Sequence, residues 1–259
     1  MQLFRSFIQL FFFSSCLFLL SCNKQQGPKI TAIAHAGGGI DGKTYTNSFQ
    51  ALNFNYERGY ELFEIDFSWT SDSQLVCLHD WDRTPKWLLD YHGEKPLTLA
   101  EFNQLLHPNL SLKPCNLESL NQWLISHPNA YIVTDIKHNN IQGLKLIKHS
   151  IENANQRVIP QIYQPEEYQA TKDLGYELLI WTLYQFPKEN KAVIDAYRQM
   201  DLYAITMPQH RAKQGLAKML NEPYIPSYVH TINNLAEAKN YQKEHGLTSV
   251  YTDFLAHDF

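Results

Sequence analysis

ELFEIDFSWTSDSQLVCLHD, residues Glu61–Asp80, is the stretch from which the fold is read. Over Glu61–Thr70 apolar and polar side chains alternate and aromatic and β-branched residues are frequent, the pattern of a strand. Ser71-Asp72-Ser73-Gln74 is a polar turn, and Leu75–Leu78 is a second apolar run that ends at His79-Asp80. A tight turn folds the two runs back as an antiparallel hairpin. With the turn centred on Asp72-Ser73, Asp66 falls opposite His79, and Glu64 shares the face of Asp66 because strand side chains repeat every second residue. Two carboxylates and an imidazole are therefore expected on one face.

Outward from this hairpin the chain alternates short strand-like runs with longer helical ones. Ile30–Ala34 precedes it and ends at His35; Tyr131–Ile136 follows and carries Asp135, with Lys137 just beyond. Further strands are expected at Val158–Tyr163, Glu177–Leu183, Leu202–Met207, Ile225–His230 and Ser249–Thr252, with helices between them, one of these over Arg211–Leu220. Repeated βα units argue for a parallel sheet covered by helices. Nine strand candidates suit an α/β fold of the TIM (β/α)8 barrel type, with an extra strand or hairpin arm, as a single domain over 30–259. An open doubly wound sheet is the alternative, but His35-Ala36-Gly37-Gly38-Gly39 lacks the spacing of a dinucleotide-binding loop.

In a barrel the C-terminal strand ends converge on one mouth. Glu64, Asp66 and Asp135 form an oxygen-rich set there, suited to Ca²⁺ or Mg²⁺ rather than Zn²⁺. His35 and His79 are then free for acid/base work, for which an imidazole is well matched. Lys137 is two residues from Asp135, points to the same side and is placed to hold a phosphate.

The composition fits an exported globular protein. Hydrophobic residues make up 44% of the 259, enough for a core, and the net charge is −4 with no Lys/Arg cluster. That disfavours a nucleic-acid partner, which needs concentrated positive charge. The N-terminus has a weakly positive start at Arg5 and a short interrupted apolar stretch, Phe7–Leu20. It suits a signal peptide over 1–21 better than a membrane span. Leu19-Leu20-Ser21-Cys22 resembles the lipobox of bacterial lipoproteins, in which the Cys is acylated. The resemblance implies a lipid anchor at Cys22, a tether over 22–29 and a place in the cell envelope, at the outer membrane or the periplasmic face. The remaining cysteines, Cys77 and Cys115, are expected to be free and buried, although export would permit them to pair.

A series of motifs carries a second resemblance. Ile33-Ala34-His35-Ala36-Gly37, Thr46-Asn47-Ser48, Glu64-Ile65-Asp66-Phe67, Leu78-His79-Asp80, Asp82-Arg83-Thr84, Thr134-Asp135-Ile136-Lys137, Val229–Asn233 and Tyr251-Thr252-Asp253 follow in order. Together they resemble the glycerophosphodiester phosphodiesterase family. The resemblance implies a TIM barrel that hydrolyses a small-molecule or lipid-derived phosphodiester. It makes His35 and His79 the acid/base pair and Glu64, Asp66 and Asp135 the ligands of a divalent cation. Asn47, Arg83, Lys137 and His230 would bind substrate. The chain also departs from the family pattern. Ala36 stands where the family has Arg, Thr46 and Asp135 stand for Glu, and His230 stands for Trp. Lys43, Lys137 and Arg83 are the candidates to supply the missing charge, with Lys43 read first as a solvated loop charge. These changes leave open an altered lipid or envelope-polymer specificity, or an inactive envelope binding protein.

Overall fold

Alternation along one strand sets the layers of the whole molecule. In Leu62–Trp69 (β2), Leu62 joins an inner cluster with Ile33, Val133, Ile159, Ile180 and Ala204. Phe63, Ile65 and Phe67 lie in the larger core with residues of the surrounding helices. Glu64 and Asp66 share the inward face of Leu62, toward the strand's C-terminal end. Two apolar layers thus hold the barrel, and the polar side chains are displaced to its mouth.

The structure, a computed structural model, describes residues 27–107 and 110–259. Before β2 comes Ile33–Ala34 (β1); after it come Leu75–Cys77 (β3), Tyr131–Ile136 (β4), Val158–Ile162 (β5) and Ile180–Thr182 (β6). Ala204–Pro208 (β7), Ser227–His230 (β8) and Ser249–Thr252 (β9) complete the set. The order is β1-β9-β8-β7-β6-β5-β4-β2-β3, and β1 also pairs with β2. Eight parallel strands therefore close on themselves, with β3 as an added antiparallel strand outside the ring. This is the expected TIM barrel with a hairpin arm.

Three expectations are corrected. The hairpin register is one residue off: Phe67 pairs with Cys77 and Trp69 with Leu75, so Leu78, not His79, answers Asp66. The loop is three residues long, with Ser73 left-handed at φ 58°. Thr70 fixes it, its Oγ1 donating to Asp72 Oδ1 at 2.6 Å and accepting from Gln74 N–H at 2.8 Å. Cys77 and Cys115 are buried but not free; they form a disulfide that ties the arm to the segment before the Leu117–Ser126 helix. The helix expected over Arg211–Leu220 is two short ones, Gln209–Lys213 and Leu216–Met219. They are separated by Gly215 at φ 81°, a conformation open to glycine at no steric cost.

The signal-peptide segment and Cys22 lie outside the described residues. Pro28, at the end of the expected tether, is buried, and its carbonyl accepts from Tyr203 Oη at 3.1 Å. Among the described residues no helix is long and apolar enough to cross a membrane.

Candidate active site

Strand register builds the acidic centre. β2 and β4 run parallel with Glu64 beside Val133 and Asp66 beside Asp135, so two carboxylates are immediate neighbours on one inward face. Glu64 sits one pleat below them. One oxygen from each of Glu64, Asp66 and Asp135 lies within 4.8 Å of the others, and all three residues are buried.

Each carboxylate has its own support. Glu64 Oε2 accepts from Ala36 N–H at 2.7 Å. Ala36 has φ 50°, so the turn after β1 is left-handed there and aims its N–H at the acid. Gly38 must be glycine in the same turn: its φ is 85°, and a Cβ would meet Asn55 Nδ2 at 2.3 Å. Asp66 is clasped by Asn47, which accepts from Asp66 N–H at 2.9 Å and donates to Oδ2 at 3.0 Å. Asp135 Oδ1 accepts from Tyr163 Oη and, at 2.9 Å, from Tyr184 Oη. Lys137 Nζ stands 3.7 Å from Asp66 Oδ1 and donates to the His79 carbonyl.

Electrostatics show what this cluster lacks. Burial, then the charge of Asp66, raises the Glu64 carboxyl well above its usual range. Burial and Asp66 raise Asp135 as well, against the tyrosine hydrogen bonds and Lys137. Buried carboxylates cost several kcal/mol each unless compensated. Lys137 alone does not compensate three. A hard divalent cation among oxygen donors answers both the charge and the donor chemistry, so the residues fit such an ion.

The two imidazoles flank this centre. His35, in the turn after β1, bonds through Nδ1 to Asp253 Oδ1 at 2.9 Å, which leaves Nε2 for the site. Burial works against its charge, but the Asp253 hydrogen bond and the charges of Glu64, Asp253 and Asp66 prevail and lift its pKa to about 9. Asp253 is itself held by Asn233, whose Nδ2 donates at 2.7 Å. His79 follows β3 and bonds through Nδ1 to Asp80 Oδ2 at 2.8 Å. Partial burial opposes ionisation of Asp80, but hydrogen bonds from Arg83 N–H, His79 and Thr84 hold it well below the usual carboxylate range. Between the two imidazoles stands Tyr45, packed edge-on with its ring centroid 4.7 Å from each.

The site opens into two spaces. A cavity of about 50 Å³ lies on the barrel axis, with His35, Glu64, Asp135, Thr206 and His230 in its wall. A groove of about 670 Å³ lies outside, beside His79. His230 belongs to the first: burial and the nearby His35 lower its pKa to about 4, so it is neutral, and among the described residues its Nε2 has no hydrogen-bond partner. Arg83 belongs to the second.

The structure thus gathers His35, Glu64, Asp66, Asp135 and Lys137 at the barrel mouth and sets His79 across Tyr45 from His35. Asn47 is a correction. It was expected to meet substrate, but it is fully buried and its amide is committed to Asp66, so it positions a carboxylate. Tyr45, Tyr163, Tyr184 and Asp253 were not singled out from sequence. Asp253 had a signal, the terminal Tyr251-Thr252-Asp253 motif; the tyrosines had none, since 15 Tyr are spread along the chain.

Comparisons with known proteins bear on the fold and the family. No curated protein matches the chain in sequence. Among solved structures, a glycerophosphodiester phosphodiesterase from Thermotoga maritima superposes with a TM-score of 0.67 at 16% identity, covering 88% of this chain and 96% of that one. One from Parabacteroides distasonis gives 0.66 at 17%, covering 88% and 94%. A phosphodiesterase from Oleispira antarctica, in complex with the product sn-glycerol-3-phosphate, gives 0.65 at 16%, covering 87% and 93%. At these identities the likeness establishes the fold. The family model for glycerophosphoryl diester phosphodiesterases goes further and matches residues 37–257. That span holds His79, all three carboxylates and Asp253, and the chain belongs to the glycerophosphoryl diester phosphodiesterase family, whose members are phosphoric diester hydrolases.

Proposed function

We propose that the chain hydrolyses a phosphodiester of the glycerophosphodiester or phospholipid-headgroup class, with a divalent cation, Ca²⁺ or Mg²⁺, and the pair His35 and His79. The observation that carries this is the meeting of three buried carboxylates within 4.8 Å, flanked by two imidazoles each anchored through Nδ1 to an aspartate. Glu64, Asp66 and Asp135 would hold the cation. When bound, it would draw charge from the phosphoryl oxygens and offset the carboxylates that raise His35. The Oleispira antarctica relative holds sn-glycerol-3-phosphate, which supports a glycerol-phosphate moiety as one half of the substrate.

The residues divide the proton work by position. His35 borders the axial cavity and takes the proton of the attacking hydroxyl, on the substrate or on water. A P–O bond forms there as the P–O bond to the leaving alcohol breaks; where the attacker is a substrate hydroxyl, water then opens the resulting cyclic phosphate with the two histidines in exchanged roles. His79 borders the outer groove and gives that alcohol its proton. Lys137, beside Asp66 and His79, holds a phosphoryl oxygen in place of the absent Arg at Ala36. The test is turnover of glycerophosphocholine and bis-p-nitrophenyl phosphate with Ca²⁺, Mg²⁺ or EDTA. Turnover that EDTA leaves untouched, or that persists in both His35→Ala and His79→Ala, refutes the assignment.

A changed specificity on this site is favoured by one observation, the unpartnered Nε2 of His230 on the axial cavity. An inactive binding protein has no comparable support. For location we place the mature protein in the cell envelope, held to a bacterial membrane by acyl chains on Cys22, on the strength of residues 1–22. Each buried methylene contributes about 0.8 kcal/mol. A Cys22→Ala protein that still takes up labelled palmitate would refute the anchor.

A further inference from the structure

The two spaces beside the catalytic centre differ in size, and a phosphodiester has two arms. The axial cavity, about 50 Å³, admits one or two hydroxyl-sized groups. The groove of about 670 Å³, which reaches His79 and not the three clustered carboxylates, has room for a larger arm. On the assignment above, that arm is the leaving alcohol.

The groove has a definite chemistry. Lys43 and Arg83 line it, and among the described residues neither has a carboxylate within 4.0 Å. Asp80 is its one acidic lining residue among those described. That carboxylate is already taken up: Oδ1 accepts from the N–H groups of Asp82, Arg83 and Thr84, and Oδ2 from Thr84 Oγ1 and His79. Two aromatic rings, Tyr45 at 39% exposure and Trp87 at 50%, offer carbon surface beside the cations. Half-exposed Trp and Tyr faces rimmed by unpaired cations suit a ligand with both a carbon skeleton and negative charge.

We propose that this groove is a leaving-group subsite selective for an alcohol that carries its own negative charge, a phosphate or carboxylate, with Lys43 and Arg83 as the residues that read it. Lys43 reaches in from the loop between β1 and the Phe49–Glu57 helix, and Arg83 from the segment after His79. A cationic leaving group such as choline would meet like charge, and a neutral polyol would leave both cations unanswered.

The inference rests on the proposed hydrolysis, and the experiment separates the two. Wild type, Lys43→Glu and Arg83→Glu are assayed on bis-p-nitrophenyl phosphate, glycerophosphoinositol and glycerophosphoinositol 4-phosphate at low salt. The last two differ by one phosphate on the leaving group. The expected kcat/KM ratio favours the phosphorylated compound about tenfold in wild type. Each charge reversal lowers that ratio about fivefold, and added salt erodes it in wild type. A wild-type ratio of one or less, with bis-p-nitrophenyl phosphate turned over, overturns the subsite and spares the activity. If no diester is turned over, the hydrolytic function falls. The groove is then judged by calorimetry with inositol 4-phosphate against inositol: tighter binding of the phosphate that both variants weaken supports it, and equal binding overturns it.

Discussion

The barrel mouth and the outer groove stand side by side and are built in opposite ways. At the mouth the three carboxylates are buried and each is held by hydrogen bonds: Ala36 N–H meets Glu64, Asn47 clasps Asp66, and two tyrosines hold Asp135. In the groove Lys43 and Arg83 are exposed and lie on irregular segments beside the strands. The mouth owes its shape to strand register, which tolerates little change. The groove owes its shape to loop chemistry, which tolerates much. On the proposed function the difference separates reaction from selectivity: one region would fix the cation and the protons, and the other would choose the alcohol.

The strongest way to break this division is to remove an imidazole. His35→Ala or His79→Ala should lower kcat/KM by roughly 10²–10⁴-fold on every diester alike, the usual share of a general acid or base. A loss confined to one leaving group would place that histidine in recognition instead. Next in size is the covalent tie of the arm. Cys115→Ser should lower unfolding free energy by about 2–4 kcal/mol in urea titrations, mainly through the unfolded chain. The cation affinity should hold, because no ligand lies on β3. A parallel loss of affinity would mean that arm and mouth are not separable.

Smaller effects sharpen the comparison. Asn47→Ala and Tyr163→Phe should each weaken cation binding by about 10–100-fold, with much of kcat recovered at saturating metal. Unchanged metal dependence would deny these residues their positioning role. Protons give a further test. In the metal-free protein the His35 pKa is raised from 6.5 to about 9, so its stabilising contribution is full below pH 6.5 and is lost as pH rises through about 9. Cation binding should release protons across that window, and its apparent affinity should rise with pH, as read by calorimetry in buffers of different ionisation heat. A pH-independent affinity between 6.5 and 9 would show that His35 does not sense the acidic cluster.

Much of the mouth was legible because it depends on short repeats. Glu64 and Asp66 share a face at any hairpin register, since only the two-residue period matters. That is why the one-residue error at Asp72-Ser73 cost His79 its place in the sheet yet left both carboxylates correctly placed. The register itself was not legible. Ser71-Asp72-Ser73 carries no glycine to declare a loop length, and Leu99 N–H, donating to Asp72 Oδ1 at 3.0 Å, helps fix it from outside the hairpin. The disulfide and the His35–Asp253 pair were hidden for a related reason. Their partners lie 38 and 218 residues apart: barrel closure brings β9 to β1 and so Asp253 to His35, and pairing of the segment before the Leu117–Ser126 helix with β3 brings Cys115 to Cys77. The groove was least legible, since Lys43 reads first as a solvated loop charge.

The pairing of Asp66 with Asp135 across β2 and β4 carries a consequence for how such a chain can change through descent or by design. Deleting or inserting one residue within either strand would turn that carboxylate from the axis to the helix-facing layer, where it would be both lost to the centre and buried in hydrocarbon. Length changes should therefore accumulate in the loops around Lys43 and Arg83, where they redraw the groove. A designer seeking a new substrate should lengthen or shorten those loops and leave every strand its present number of residues.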